Sequence, residues 1–264
     1  MDTIWRLFNT CIIPIITYGA EAWTPTKAEE KTLQRILDNL LKRILKTPIT
    51  TPSEILTAET GIWDIETQIM KKQILYYRTI MTTKNKDSTI YKVATDAKNP
   101  WKRRVENTLR LTDINEVDLI TKNLSRAKKY VTQKLKEYQA NKIYNAAEKK
   151  SKVQDYVWNK TRETIIKKPR YMNNLSRMEC SNLFAVRSRM LKVKGNYKNK
   201  HTSLICRWCK NKEESQIHIL TECKEFQSIT GNNKYETYYD DNNQTAVIAT
   251  RIIGKVVTKI QEPT

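Results

Sequence analysis

The stretch from Thr26 to Leu45, TKAEEKTLQRILDNLLKRIL, decides the fold class of this chain. Thr26 with Glu29 three residues later is a capping box, in which each side chain accepts a hydrogen bond from the backbone of the other residue and so starts a helix. Apolar side chains then recur at helical spacing on one continuous face. The stretch therefore predicts a long amphipathic helix, with Leu33, Ile36, Leu37, Leu40, Leu41, Ile44 and Leu45 on the apolar face and Lys31, Arg35, Lys42, Arg43 and Lys46 on the others.

Similar patterns continue along the chain and predict a mostly α protein. The 264 residues include only five glycines and seven prolines, and good helix formers predominate. We expect four consecutive segments with different characters: a compact helical unit with a kink at Pro14 (1–81), Lys-rich helices with either a narrow buried stripe or the shape of an extended arm (82–174), a basic helix followed by a cysteine–histidine motif (175–226), and an Asn-rich loop followed by an amphipathic helix over 245–260 (227–264).

Start and stop signals place several helices more closely. Gly61 is suited to end one helix, because glycine readily takes the left-handed conformation found just after helices. Ser176 with Glu179 is a second capping box, and it predicts a helix that continues to about Leu191. The polar run 82–88 predicts a loop between helices.

The charge of the chain indicates its partners. Lysine and arginine number 48 and aspartate and glutamate 28, which gives a net charge of +20 and an isoelectric point near 9.7. Between Lys160 and Lys200, twelve basic residues are opposed only by Glu163 and Glu179. Such a field favours polyanions, with nucleic acid first and an acidic membrane surface second. The apolar stretch 7–20 is too short and too interrupted by polar residues to span a membrane. The cations do not lie opposite a strongly hydrophobic face of one helix, so we expect no membrane partner.

Cys206, Cys209, His218 and Cys223 form the pattern C-x2-C-x8-H-x4-C. Three of the five cysteines and one of the two histidines fall within these 18 residues. Zn²⁺ prefers four tetrahedral thiolate and imidazole ligands, and four protein ligands leave no open position for catalysis. The motif therefore predicts one structural Zn²⁺ ion, with a disulfide pair or free thiols as alternatives. With no signal peptide evident, we expect an intracellular, reducing compartment, in the nucleus, the cytoplasm or both.

Cations and one aromatic residue around the motif predict contacts with nucleic acid. Cations bind backbone phosphates with release of counterions, and an aromatic face can stack on an unpaired base. The alternatives are a solvated basic face that binds nothing specific and, for Trp208, a ring that covers the metal. The predicted nucleic-acid contacts in and before the motif are Arg187, Arg189, Lys192, Lys194, Lys198, Lys200, Arg207 and Trp208. Lys42 and Arg43 of the basic helix over 26–45 are predicted contacts as well.

Two parts of the chain resemble the non-LTR (LINE-type) retrotransposon reverse transcriptases. Residues Leu7 to Trp23, LFNTCIIPIITYGAEAW, carry an apolar helix, a proline and the pattern T-Y-G-x-E-x-W, and they look like the entry to the thumb of these enzymes. Residues Leu175 to Cys223 are similar to their basic linker and CCHC zinc knuckle. The resemblance implies the C-terminal part of such an endonuclease–reverse transcriptase: a helical thumb-like bundle, an extended basic helical linker, a small zinc knuckle and a terminal helix that together grip template RNA or target DNA.

The same resemblance implies that the chain lacks a catalytic centre. These polymerases need three palm carboxylates that bind two metal ions, and the chain is expected to begin where the palm ends. The run 238–241 spells Y-Y-D-D, but its polar flanks and its position after the knuckle argue against a palm role. The residues after Cys223, about 40, are too few for an endonuclease domain. We therefore predict no RNA-directed DNA polymerase activity from this chain alone, and a palm-containing reverse transcriptase polypeptide as a further partner through residues 1–45.

A function of a different class remains open. The amphipathic helix over 245–260 could dock a protein partner, and the zinc ion would then staple a protein-interaction module derived from a retroelement. In that case salt would barely affect binding, and charge reversal at Arg187 and Arg189 would be tolerated.

Overall fold

The computed structural model describes residues 2–158, 165–200 and 203–262, and the predicted mostly α class is confirmed. Within these residues the β structure amounts to one isolated bridge between Ile205 and Glu213. None of the helices there combines the length and the apolar character that a membrane crossing requires. The α-helices are α1 Asp2–Leu7, α2 Ile13–Ile16, α3 Lys27–Leu45, α4 Ser53–Thr60, α5 Ile65–Met81, α6 Thr89–Thr95, α7 Pro100–Leu111, α8 Glu116–Thr121, α9 Leu124–Ala147, α10 Ser151–Trp158, α11 Tyr171–Asn174, α12 Arg177–Arg187, α13 Lys224–Thr230 and α14 Asn243–Gln261.

The kink predicted at Pro14 takes the form of a widened helical turn. Proline has no N–H, and its ring clashes with the carbonyl four residues earlier in a regular helix. A π-helical turn over Phe8–Ile12 joins α1 to α2, and the Ile13 N–H donates to the Phe8 carbonyl. The wider turn lets the chain continue in helical form past Pro14.

Helix α3 begins at the predicted capping box. The Thr26 N–H donates to Glu29 Oε2 at 2.7 Å, and the Glu29 N–H donates to Thr26 Oγ1 at 3.2 Å. The centre of the predicted apolar face is buried, with Leu37 and Leu41 at 1% exposure, but Ile36 is 46% exposed. The buried stripe of α3 is therefore narrower than the sequence pattern predicts.

The helices group into two compact units, each assembled from separate parts of the sequence. Unit 1 comprises Met1–Trp5, Asn39–Gly61 and Ala146–Thr264, and unit 2 comprises Arg6–Asp38 and Ile62–Asn145. The predicted segment boundary at residue 81 does not separate the units, because α5 packs on helices that follow it in the sequence.

The core of unit 2 forms between α5, α7 and α9. Its members include Ile74 and Tyr77 of α5, Val105 of α7, and Val131 and Leu135 of α9, all at 0–1% exposure. Helix α9 thus carries the narrow buried stripe predicted as one alternative for the Lys-rich segment.

An ion-pair network links α3, α5 and α9 in unit 2. The Lys142 ammonium pairs with Asp64 and lies 2.8 Å from Glu66 Oε2, and Lys27 Nζ lies 2.7 Å from Glu66 Oε1. Burial by itself would raise the pKa of the Glu66 carboxyl. Hydrogen bonds and positive charge from Lys142 and Lys27 outweigh burial and lower that pKa to about 2.

We expect acid to destabilise unit 2 through Glu66. Because its folded pKa lies below the ordinary value of 4.5, the carboxylate contributes stability above that pH and loses it as the pH falls towards about 2. Urea unfolding at several pH values should show this loss, on the order of 3 kcal/mol, and Glu66→Gln should flatten the profile. Glu137→Gln, which removes an exposed carboxylate from α9, is the matched control. Identical profiles for the two variants would contradict the prediction.

In unit 1 the apolar face of α14 packs against α12. Ile253 and Val256 of α14 are fully buried, as are Leu183 and Phe184 of α12. The helices predicted over 245–260 and after Ser176 are both present, as α14 and α12. Helix α12 begins at the predicted Ser176–Glu179 capping box. It ends at Arg187 and not, as the sequence predicted, near Leu191. It ends early because the backbone becomes left-handed two residues later, at Arg189, where φ is 53°.

Gly61 ends α4, and we expect its replacement by alanine to lower the free energy of unfolding by about 1–3 kcal/mol. Its φ is +68°, and an added Cβ would lie 2.6 Å from the Lys168 nitrogen. Gly254→Ala is the matched control, because Gly254 lies inside α14 with open space around its Cα. That variant should be stabilised by up to about 1 kcal/mol through helix propensity. Urea denaturation that gives both variants the same shift would refute this account.

Candidate metal centre

A short hairpin in unit 1 presents Cys206 and Cys209. The Cys206 N–H donates to the Lys212 carbonyl at 2.8 Å, and the Lys210 N–H donates to the Cys206 carbonyl at 3.2 Å. Lys210 has a left-handed backbone with φ 56°, which lets the chain reverse directly after Cys209. The C-x2-C spacing therefore sets both thiols on the same tight turn.

A π-helical turn over His218–Glu222 presents the other two side chains. The Ser215 hydroxyl accepts from the His218 N–H at 3.0 Å, and the Cys223 N–H donates to the His218 carbonyl at 2.7 Å. Ile219 and Leu220 are fully buried, as a short helical turn beneath a metal site requires. Cys223 immediately precedes the first residue of α13.

The four side chains converge into one cluster that could hold a metal ion. Their ligand atoms all lie within 4.8 Å of one another. Cys206 Sγ lies 4.0 Å from Cys223 Sγ, and Cys209 Sγ lies 3.2 Å from His218 Nε2. Ligands at about 2.3 Å from a tetrahedral ion would be separated by about 3.8 Å, so these distances fit a tetrahedral site. None of the five cysteines forms a disulfide.

The thiols of the cluster differ in their proton affinity. Backbone N–H groups of Asn211 and Lys212 lower the pKa of Cys209 to about 6. Burial raises the pKa of Cys223 to about 12. Metal ligands must be deprotonated, so a cation that binds here would displace the proton of Cys223.

An ion pair beside the cluster joins the hairpin that carries Cys206 and Cys209 to the π-helical turn that carries His218. Lys212 Nζ lies 3.1 Å from Glu222 Oε2, which links the hairpin to the π-helical turn. The same carboxylate lies 3.7 Å from His218 Nδ1, which is longer than a hydrogen bond. Because Nε2 faces the sulfur atoms, Nδ1 is the nitrogen that points away from the cluster.

The segment that carries the cluster, Leu204 to Cys223, forms a small module. Arg207 and Trp208 pack within it. Arg207 pairs with Glu214, with Nη2 2.8 Å from Oε1, and its guanidinium lies 4.6 Å from the centre of the Trp208 ring. The edge of Trp208 meets Phe226 at 4.9 Å between ring centres. Trp208 is only partly exposed, and Arg207 occupies a ring face that was predicted to stack on a base.

Arg187, predicted as a nucleic-acid contact, is instead fully buried. Its guanidinium lies 3.0 Å from Glu59 Oε1 and 2.9 Å from Asp241 Oδ1. The Tyr156 and Tyr171 hydroxyls also donate to Glu59. The prediction was wrong because sequence alone treats an arginine in a basic stretch as exposed, whereas this side chain neutralises a buried carboxylate. Asp241, part of the Y-Y-D-D run, serves as its second partner.

The other predicted contacts differ in accessibility. Lys192 and Arg43 are exposed, and Arg189 pairs with Asp155 while 37% exposed. Lys194 Nζ donates to the Ile205 carbonyl at 2.8 Å, so it supports the hairpin. The side chains of Lys198 and Lys200 lie outside the described residues, and Lys42 lies with Arg43 at the end of α3.

Polar contacts that the sequence did not reveal fasten the module to α12 and to the chain that follows this helix. Gln216 Nε2 donates to the Val186 carbonyl at 2.7 Å, next to the end of α12. The Gly195 N–H donates to the Glu214 carbonyl at 2.9 Å, and a Cβ at Gly195 would lie 3.0 Å from that oxygen. Gly195 was the available signal in the sequence, since glycine allows another part of the backbone to approach closely.

Comparison with protein-family models, with curated proteins and with solved structures finds no match to this chain. The case for a function therefore rests on the residues and geometry of the site.

Proposed function

We propose that this protein binds nucleic acid through a zinc-organised knuckle and the cations around it, in the manner of the C-terminal part of a non-LTR retrotransposon reverse transcriptase. The convergence of Cys206, Cys209, His218 and Cys223 within 4.8 Å carries the proposal, in a chain of net charge +20. A cation-rich surface held by a small metal module is a common way to grip a phosphate backbone.

The donor set favours Zn²⁺ as the ion. Three thiolates and one imidazole match the ligands that zinc prefers, and four protein ligands leave no position for water or substrate. When bound, the ion would supply a structural cross-link between the hairpin and the π-helical turn. Exposed cations beside the module, Lys192 foremost, would then be held at fixed positions for contact with phosphates.

The role proposed for the chain is binding without catalysis. In a complete reverse transcriptase the helical thumb would lie across the template–primer duplex, and the knuckle would hold template RNA or target DNA. Nucleic acid is preferred over a protein partner of α14 because most of the apolar face of α14 is buried against α12, with Ile248 as an exposed member at 52%. A docking helix would need that face to be accessible.

Salt dependence tests the proposal. We expect the affinity for single-stranded RNA, duplex DNA and an RNA–DNA hybrid, measured by fluorescence anisotropy, to fall steeply as salt rises from about 50 to about 200 mM, because bound cations release counterions. Zinc chelation or Cys209→Ser should lower the affinity further. Cys11→Ser is the matched control, since Cys11 is an exposed thiol outside the cluster.

Binding that is weak, or indifferent to both salt and metal, would overturn the proposal. Salt-dependent binding that is unchanged by chelation would show that the zinc knuckle takes no part in binding nucleic acid. In either case Cys11→Ser should behave as the wild type.

A further inference from the structure

A second cationic site lies at the end of α3, in the part of unit 1 that begins at Asn39. A pocket of about 340 Å³ opens there, and none of its lining residues is acidic. They supply three cations, one amide and one hydroxyl: Asn39, Lys42, Arg43, Lys46, Thr47 and Ile49 line the pocket.

Local hydrogen bonds hold the pocket in shape. Lys46 has a left-handed backbone with φ 50°, and the Thr47 N–H donates back to the Lys42 carbonyl at 3.0 Å. Lys42 Nζ donates to the Ile49 carbonyl at 2.7 Å and so fixes the loop over the last turn of α3. The remaining protons of that ammonium are available to a ligand.

The end of α3 is protected against the usual repulsion of anions. Unpaired carbonyls make a helix C-terminus partly negative, and this disfavours anionic ligands. Arg177 donates to the Arg43 carbonyl and, at 2.8 Å, to the Ile44 carbonyl. Ser181 Oγ donates to the Leu45 carbonyl at 2.6 Å. The carbonyls of the last turn are thus occupied, and the Arg177 guanidinium adds positive charge at the helix end.

The hydroxyl of one lining residue, Thr47, is an unsatisfied hydrogen-bonding group in the part of the chain that the structure describes. Thr47 Oγ1 is buried and has no hydrogen-bond partner among the described residues. An unsatisfied buried hydroxyl is costly, so such groups are usually paired with protein, water or ligand. If the side chain turned towards the pocket, this hydroxyl would donate to a ligand rich in acceptor oxygens.

We propose that this pocket binds one backbone phosphate of the nucleic acid. Lys42, Arg43 and Lys46 would supply the charge, and Asn39 and Thr47 would donate neutral hydrogen bonds. The inference rests on the proposed function and adds to it an anchor point that is separate in sequence from the metal cluster. Lys42 and Arg43, which were predicted as nucleic-acid contacts, both line this pocket.

Charge removal at the pocket tests this assignment. The double variant Arg43→Gln, Lys46→Asn should bind a single-stranded oligonucleotide about tenfold more weakly than the wild type, with the salt slope reduced by about 1. Asparagine is chosen because it tolerates the left-handed backbone of Lys46. The matched control is Lys31→Asn, Arg35→Gln, which removes the same charge from exposed positions of α3 outside the pocket. Thr47→Val should weaken binding a few-fold and leave the salt slope unchanged.

Inorganic phosphate, titrated by ³¹P NMR, separates the outcomes. Support requires that the pocket variant lose more oligonucleotide affinity than the control variant while thermal unfolding of the two is alike. Suppose that the wild type binds nucleic acid and that the pocket and control variants lose the same oligonucleotide affinity. That result would overturn the assignment of the pocket and leave the proposed function standing. Suppose instead that the pocket variant loses phosphate binding while its oligonucleotide affinity stays that of the wild type. That outcome would identify a site for free phosphate and overturn the assignment. If the wild type binds no nucleic acid, both proposals fail.

Discussion

Replacing Arg187 by methionine should lower the free energy of unfolding of unit 1 by about 3–5 kcal/mol, because it leaves a buried carboxylate without its counter-charge. Arg187 and Glu59 both have side chains at 0% exposure. The Tyr156 and Tyr171 hydroxyls would still donate to Glu59, but neither carries charge. Urea unfolding followed by circular dichroism measures the loss.

Arg189→Met is the matched control for this variant. Arg189 is 37% exposed, and its pair with Asp155 is worth at most about 1 kcal/mol. Glu59→Gln added to Arg187→Met should recover part of the lost free energy of unfolding, since it removes the buried Glu59 carboxylate that has lost its cation. The account fails if Arg187→Met and Arg189→Met cost the same. Folded Arg187→Met should also bind nucleic acid as the wild type does, whereas a phosphate contact would be lost.

Chelation of the metal should unfold the segment from Leu204 to Cys223 and weaken unit 1 beyond it. Structural zinc sites in peptides contribute about 10–16 kcal/mol of apparent folding free energy. Gln216 and Glu214 bond to the backbone at Val186 and Gly195, so disorder in the module would release those contacts also. Hydrogen exchange should show lost protection in the module and in the last turn of α12, with unit 2 unchanged.

Cys206→Ser gives an independent check on that result. The variant should reproduce the exchange pattern of the chelated wild type, and a chelator should then have no further effect on it. Cys11→Ser should respond to chelation as the wild type does. Protection of residues 204–223 that is the same with and without chelator would show that no metal holds this segment.

Features fixed by neighbours in the sequence could be predicted. The two capping boxes, at Thr26–Glu29 and Ser176–Glu179, form because their partners are three residues apart and local geometry decides them. The cysteine–histidine cluster could be predicted for the same reason, since one hairpin and one helical turn bring together ligands that lie within 18 residues.

Features that depend on distant partners could not be predicted. Arg187 reads as one more cation of a basic stretch, and its burial follows from Glu59, which lies 128 residues away. The sequence gives no sign of that pairing, because a charged residue in a helix looks the same whether it faces water or a buried acid. Gln216 was missed for a related reason: a polar residue in a loop carries no periodic signal that marks it as a contact.

The discontinuous make-up of unit 1 has a consequence for the newborn chain. Unit 2 is made up of residues that all precede Ala146, so its whole sequence is synthesised before most of unit 1. Glu59 must wait 128 residues for Arg187, about 6–26 s at ribosomal rates of about 5–20 residues per second. Until Ala146 is made, α4, whose Ile55 and Leu56 are fully buried in the folded protein, lacks the part of unit 1 that lies at 146–264. We therefore expect the newborn chain to expose the apolar side chains of α4 and to be bound by chaperones during synthesis.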